Sequence, residues 1–289
     1  MYTRVHLSCI NGDYMTNIFS IDVEEWFHSN FLSDLYDMNK PYEVRVLGST
    51  YKLLEHFSTH NAKGTFFCLS CIAEKHPALV KDIQKEGHEI ASHGANHALV
   101  YSQTKEGFRE DVYKSKCVLE DCIQKPIKGY RAPSWSITKE SLWALDILQE
   151  LGFIYDSSIF PIKSFLYGIK DAERFMGKPF IDNTQYNIYE VPPSTFKFLG
   201  KTMGFSGGFY FRAFPLFWIK RKTRNINKKE NKPAVFYLHP REIDVHQPKL
   251  ELSKKEHFIQ YLNIRGCEKK LINVLRNNAF TSIENYYDF

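Results

Sequence analysis

No apolar run in this 289-residue chain approaches the roughly 18 residues that a membrane-spanning helix requires. The longest, FPLFWI at 214–219, has six residues and carries a proline. Residues 1–14 hold no apolar stretch of the length a secretory leader needs, so the expected location is the cytoplasm. They read as an N-terminal extension ahead of Met15, with 15–289 as a single domain. Glycine and proline are sparse, 15 and 12, which excludes collagen-like and low-complexity chains. Cysteine is sparser still. Six thiols in a chain without a leader are expected to be reduced. Cys68-Leu-Ser-Cys71 lacks a second pair at zinc-ribbon spacing, so packing is its expected role. Charge of one sign is lacking too: 38 Lys and Arg against 33 Asp and Glu leave +5, too little for a dedicated nucleic-acid binder. Aromatic residues are plentiful instead, 23 Phe and 17 Tyr, enough for a large core and a ring-lined cleft.

Short β-rich runs alternate with longer amphipathic ones. Strands are expected at 18–23, 64–69, 88–93, 128–133, 153–156, 188–193, 234–239 and 280–283. Helices are expected over 51–57, 78–87, 106–123, 138–152 and 254–277, the last broken near Gly266. The stretches 157–187 and 220–232 read as irregular, the first long enough for a lid or rim insertion. About seven β-α units without a linker predict an α/β fold, a distorted (β/α)7-type barrel.

Asp22, His93, Arg131, Asp156 and His239 each fall at the C-terminal end of an expected strand. In βα barrels that edge carries the chemistry. Each residue also has an ordinary explanation when taken singly. Asp22-Val23-Glu24-Glu25 could be a solvated acidic turn. His93 and His97, four apart, could face one metal, yet 11 histidines produce such spacings by accident. Arg131 could be a surface ion pair, Asp156 a turn cap, and His239 a satisfied core histidine.

In this order the motifs resemble the polysaccharide deacetylase family, the NodB-homology carbohydrate esterases, across most of the chain. Ser20-Ile21-Asp22-Val23-Glu24 stands where the family commonly reads Thr-Phe-Asp-Asp. Ser92-His93 with His97 matches the second motif, and Arg131-Ala132-Pro133 with Trp135 the third. Asp156 and Leu238-His239 supply the fourth and fifth. The block at 155–161 and Gly207-Gly208-Phe209-Tyr210-Phe211-Arg212 look like the subgroup associated with exopolysaccharide loci.

The resemblance implies a hydrolase removing N-acetyl groups from amino sugars of a polysaccharide or its lipid-linked precursor. It implies one divalent metal on Glu24, His93 and His97, zinc ahead of cobalt, nickel or iron. Asp22 is then the general base, oriented by Arg131. His239 is the general acid, held charged by Asp156, and the N–H of Ser134 receives the oxyanion. Trp26, Trp135, Tyr210 and Arg212 are the candidate substrate contacts; Phe160 and Trp218 could also stack on sugars. Three departures stand out: Glu24 is one methylene longer than the usual Asp, Glu25 competes with it, and Phe160 replaces a common tryptophan.

Three other readings keep some of these features. A small amide or cyclic imide could be the substrate, as in allantoinase-like relatives. A binding protein with a decayed site is a second alternative. Nucleic-acid binding through the cations of 220–232 is the third, disfavoured by the lack of interleaved rings. Rings beside cations across 209–232 also have the composition of a segment that touches an inner-membrane surface transiently.

Overall fold

The computed structural model describes residues 15–28, 42–162, 164 and 167–289. The expected extension at 1–14 therefore lies outside the described residues, as does Cys9. Twelve strands are described: β1 (Asn17–Val23), β2 (Thr65–Cys68), β3 (Glu89–Ser92), β4 (Gly129–Tyr130), β5 (Tyr155–Asp156), β6 (Phe180–Ile181), β7 (Thr184–Gln185), β8 (Tyr189–Glu190), β9 (Thr195–Phe198), β10 (Lys201–Gly204), β11 (Val235–Leu238) and β12 (Phe280–Thr281).

Seven of these form one parallel path in the order β11-β1-β2-β3-β4-β5-β8, with β12 added against β1. All seven residues of β1 are buried: Phe19, Ile21 and Val23 pack with helix residues such as Leu53 and Phe57, while Ile18 faces Phe67, Ala91, Tyr155 and Val235 of other strands. Helix Val46–Thr59 buries Val46, Thr50, Leu53, Leu54 and Phe57, one stripe at helical spacing. Helix Lys105–Ile123 starts on Thr104, whose side chain accepts from the Gly107 N–H, and buries Phe108, Val112, Leu119 and Ile123. Between the path's two ends, Ser194 exchanges hydrogen bonds with Val235, and Gly207 bridges Tyr237. This irregular closure is what distorts the barrel.

Register then fixes the working edge. Val23, Cys68, Ser92, Tyr130, Asp156 and Glu190 are partners in sequence across six adjacent strands. Ile21 pairs with Leu238 on the other side. The residues that follow, Glu24, His93, Arg131 and His239, therefore leave the sheet along one rim.

Four local expectations need correction or refinement. The tail helix does break near Gly266, but the residues that break it are Leu262 and Asn263: Asn263 takes a left-handed φ of 52°, and Gly266 lies inside helix Ile264–Arg276. A Cβ at Gly266 would meet Asn263 Oδ1 at 2.2 Å, so that glycine serves side-chain packing. The cationic stretch 220–232 is not irregular. It continues helix Leu216–Asn225 into a π-helical turn, Ile226–Glu230, burying Ile219, Thr223 and Ile226. The 157–187 stretch begins in the core, with Ile159, Phe160 and Ile162 buried, and carries the β6–β7 hairpin. The last strand ends at Thr281, and Ser282 caps a short helix, Ile283–Tyr287.

Candidate active site

Residues two apart on a strand share a face, so Asp22 and Glu24 point together while Val23 enters the core. Glu25 falls on the other side and does not compete with Glu24. Its carboxylate accepts from the N–H groups of Arg45 and Val46 and closes the start of helix Val46–Thr59. Glu24 instead meets both histidines: Oε2 is 2.7 Å from His97 Nε2 and 3.6 Å from His93 Nε2. One ligand atom from each of Glu24, His93 and His97 lies within 4.8 Å of the others, and all three side chains are buried.

This donor set fits a divalent cation. His93 Nδ1 stands 2.7 Å from the Arg131 carbonyl, to which it can only donate. Nε2 is thereby left to face the Glu24 carboxylate, so that a proton or a metal cation can lie between the two. A backbone carbonyl behind a histidine is the usual support for a metal-facing nitrogen. Burial opposes ionisation of Glu24, but His97, His239 and His93 together hold its carboxyl well below the usual range. His97 itself sits at a φ of 61°, the sort of backbone cost that functional sites retain.

Arg131, fully buried, donates from Nη1 to Asp22 Oδ1 at 2.6 Å and to Ser20 Oγ at 2.8 Å. Its other donors reach the Ser157 hydroxyl and carbonyl, and its plane lies 4.0 Å from the Phe67 centroid. Asp22 is thereby held by one oxygen while Oδ2 stands 3.7 Å from His239 Nε2. Trp135, Tyr210 and Ser134 line the same cleft. Ser134 and Trp135 both take left-handed φ values, 51° and 57°.

The geometry gives three of the expected site residues other partners. Asp156 does not support His239. Its Oδ1 accepts from Ser158, and its side chain hydrogen-bonds with Glu190, its register partner on β8. The partner of His239 Nδ1 is Glu242 Oε2, at 3.2 Å. Arg212 lines the cleft but is buried, and four of its five N–H donors go to Glu242 Oε1 and the carbonyls of Ile259, Gln260 and Leu262. Trp26 is buried in a separate cluster with Phe27, Tyr42, Leu250 and Leu252, and donates to the Glu43 carbonyl. Phe160 lies beneath the cleft wall against Trp135, and Trp218 packs on Phe214 away from it.

Four contributors were not singled out in the sequence. Glu242 is reached because Pro240 starts a 3-10 turn that returns the i+3 carboxylate to the His239 N–H, a signal readable as His-Pro-x-Glu. Burial opposes its ionisation, yet His239 and Arg212 bring the Glu242 carboxyl down to about 2. Arg241 Nε stands 3.9 Å from Glu24 Oε1. His28 stacks on His97, and burial lowers its imidazole to about 3. Glu190 pairs with Asp156. Burial lifts Asp156 to about 6 and Glu190 well above the usual range, the latter reinforced by Asp156 itself.

The last pair gives a pH signature. A raised folded-state pKa means that the folded chain keeps a proton the unfolded chain releases, so stability falls as pH climbs above the ordinary carboxylate range. Glu190→Gln keeps the shared hydrogen bond without the ionisable proton. Its melting temperature is expected to vary less than the wild type's between about pH 5 and about pH 8. An unchanged slope in thermal melts would exclude the shared proton.

Comparison with known proteins now adds family evidence. A family model described as polysaccharide deacetylase matches residues 42–155. A peptidoglycan-N-acetylglucosamine deacetylase of Bacillus cereus is 34% identical over 98 residues, 34% of this chain and 36% of that one. Residues 42–155 carry a polysaccharide deacetylase domain. A second model, Domain of unknown function (DUF3473), matches residues 157–288. The sheet joins both matched segments, since β5 pairs with β8, and β1, which precedes both, pairs with β2 on one side and β11 on the other. A peptidoglycan deacetylase of Helicobacter pylori is 26% identical over 156 residues, 49% of this chain and 51% of that one. The matches thus span between about a third and a half of these curated relatives.

Among solved structures, one from Mycobacterium smegmatis described as a polysaccharide deacetylase has a TM-score of 0.60 at 17% identity, covering 98% of this chain and 92% of that one. A family pseudoenzyme from Bacillus anthracis has a TM-score of 0.50 at 12% identity, covering 95% and 66%. These likenesses establish the fold alone. A pseudoenzyme on the same fold means that activity must be argued from the site.

Proposed function

We propose that the chain is a divalent-metal-dependent N-deacetylase acting on N-acetylated amino sugars of a polysaccharide or its lipid-linked precursor. The supporting observation is the opposition, in one cleft, of Asp22 and His239 beside the buried Glu24, His93 and His97 set. Imidazole and carboxylate donors suit zinc, then cobalt, nickel or iron. A divalent cation held there supplies the Lewis acidity that lets water attack an amide near neutral pH.

The chain's own residues do the rest. Asp22, anchored through Oδ1 by Arg131, takes the proton of the attacking water on Oδ2. The N–H of Ser134 is assigned to the oxyanion that forms on the acetyl carbonyl. His239 delivers a proton to the departing amine. Burial opposes its charged form, but Glu24 and Glu242 outweigh that and raise its pKa. Trp135 and Tyr210 offer ring faces to the sugar. The whole of 15–289 is taken as one catalytic unit.

The test is acetate release from N-acetylated oligosaccharides with and without chelator. Release that stops with chelator and returns with added zinc or cobalt is expected. Chelator-insensitive release, or none from any N-acetylated sugar by metal-loaded protein, would overturn the proposal.

A further inference from the structure

From residue 191 to residue 229 the chain has no Asp or Glu, but nine Lys and Arg. Arg212 is buried on Glu242. The other eight are half-buried or exposed, and none of them forms an ion pair among the described residues. The two most exposed large apolar side chains among the described residues lie in the same stretch: Leu199 at 86% and Phe217 at 65%.

Leu199 stands where folding gives it no return. Strands β9 and β10 pair antiparallel with Phe198 opposite Lys201, leaving Leu199 and Gly200 as a two-residue turn. Both have positive φ, 46° and 75°, the turn type that favours Asn-Gly. A leucine there carries backbone strain and exposes its side chain as well. Phe198, 48% exposed, links this tip to the next helix through Trp218, 6.5 Å between ring centroids. Phe217 begins the exposed stripe of that helix, which continues to Arg221 and Arg224.

We propose that Phe198, Leu199 and Phe217 enter the headgroup layer of an anionic lipid bilayer, with Lys197, Lys201 and Arg221 on lipid phosphates. An exposed hairpin tip that sets apolar side chains beside cations suits a bilayer, where an apolar layer lies beneath phosphates, better than a nucleic acid, whose phosphates are outermost. Apolar tips beside unpaired cations match the two forces that hold proteins at such a surface. The contact is narrower than the composition of 209–232 suggests, because Phe211 and Ile219 are buried in the core.

Co-sedimentation with phosphatidylcholine vesicles, with and without one-third phosphatidylglycerol, tests this without reading turnover, so its failure is separate from that of the deacetylase proposal. Binding only to the anionic vesicles is expected, weakening as salt rises from about 0.05 M to about 0.5 M. Leu199→Ser with Phe217→Ser is expected to lower partitioning on the order of tenfold with the melting temperature held or raised. Lys197→Gln, Lys201→Gln and Arg221→Gln together should lower it by about fivefold per cation. Two results overturn the proposal: no binding of the wild type to anionic vesicles, or binding that the serine variant retains in full and duplex DNA displaces.

Discussion

Asp22→Asn is expected to lower acetate release by at least about 10²–10⁴, the contribution of a positioned general base, while the protein still binds zinc. The amide has the carboxylate's shape, and its oxygen can still accept from Arg131 Nη1, now 2.6 Å from Oδ1. What disappears is the group that takes a proton on the oxygen facing His239. The substitution also strips a buried guanidinium of its counter-charge, which commonly costs about 3–5 kcal/mol. Hydrogen bonds from Arg131 to Ser20 and Ser157 remain, so a folded protein with a lower melting temperature is expected. His97→Ala separates the roles, because zinc content and activity should fall together. Near-wild-type release by the Asp22→Asn protein, with zinc in place, would falsify the assignment of the base.

Much of this site was legible in the sequence because register converts strand ends into neighbours. Once 18–23, 88–93, 128–133 and 234–239 are taken as parallel strands, Glu24, His93, Arg131 and His239 must share a rim, and β-pairing places them there. The spacing of Asp22 and Glu24 likewise dictates a common face. Illegible were the contacts made by buried side chains across elements far apart in sequence. The resemblance assigned Asp156 to His239, yet its neighbour in register is Glu190. Arg212 stood among the candidate sugar contacts through the Gly207–Arg212 block, yet three carbonyls and Glu242 take four of its five N–H donors. Composition gave 220–232 as a loop, since nothing in a run of cations reveals that Ile219, Thr223 and Ile226 share a buried stripe. Phe217, by contrast, is exposed for the same reason: it lies on the opposite side of that helix.

Glu242 carries the second large effect, because it joins two things the sequence kept apart. One oxygen accepts from the Arg212 Nε–H at 2.9 Å, both side chains being buried, and the other meets His239 Nδ1. Glu242→Ala leaves the guanidinium without a counter-charge, for which about 3–5 kcal/mol of stability is the usual cost. The sign of the pH dependence follows from the depressed carboxyl. The ion pair contributes fully above the ordinary carboxylate range and is lost as pH falls through about 2. The Ala protein should therefore lose most stability near neutrality and converge on the wild type in strong acid. Glu242→Gln keeps an acceptor for Arg212 and should recover much of the melting temperature without restoring full turnover. The decisive readout is the leaving group. An amine must be protonated to depart, whereas the phenolate of an aryl acetate leaves unaided. Both Glu242→Gln and His239→Ala are expected to slow N-acetyl hydrolysis by about a hundredfold or more and aryl acetate hydrolysis far less. Equal losses on the two substrates would make Glu242 a purely structural residue and remove His239 from the role of acid.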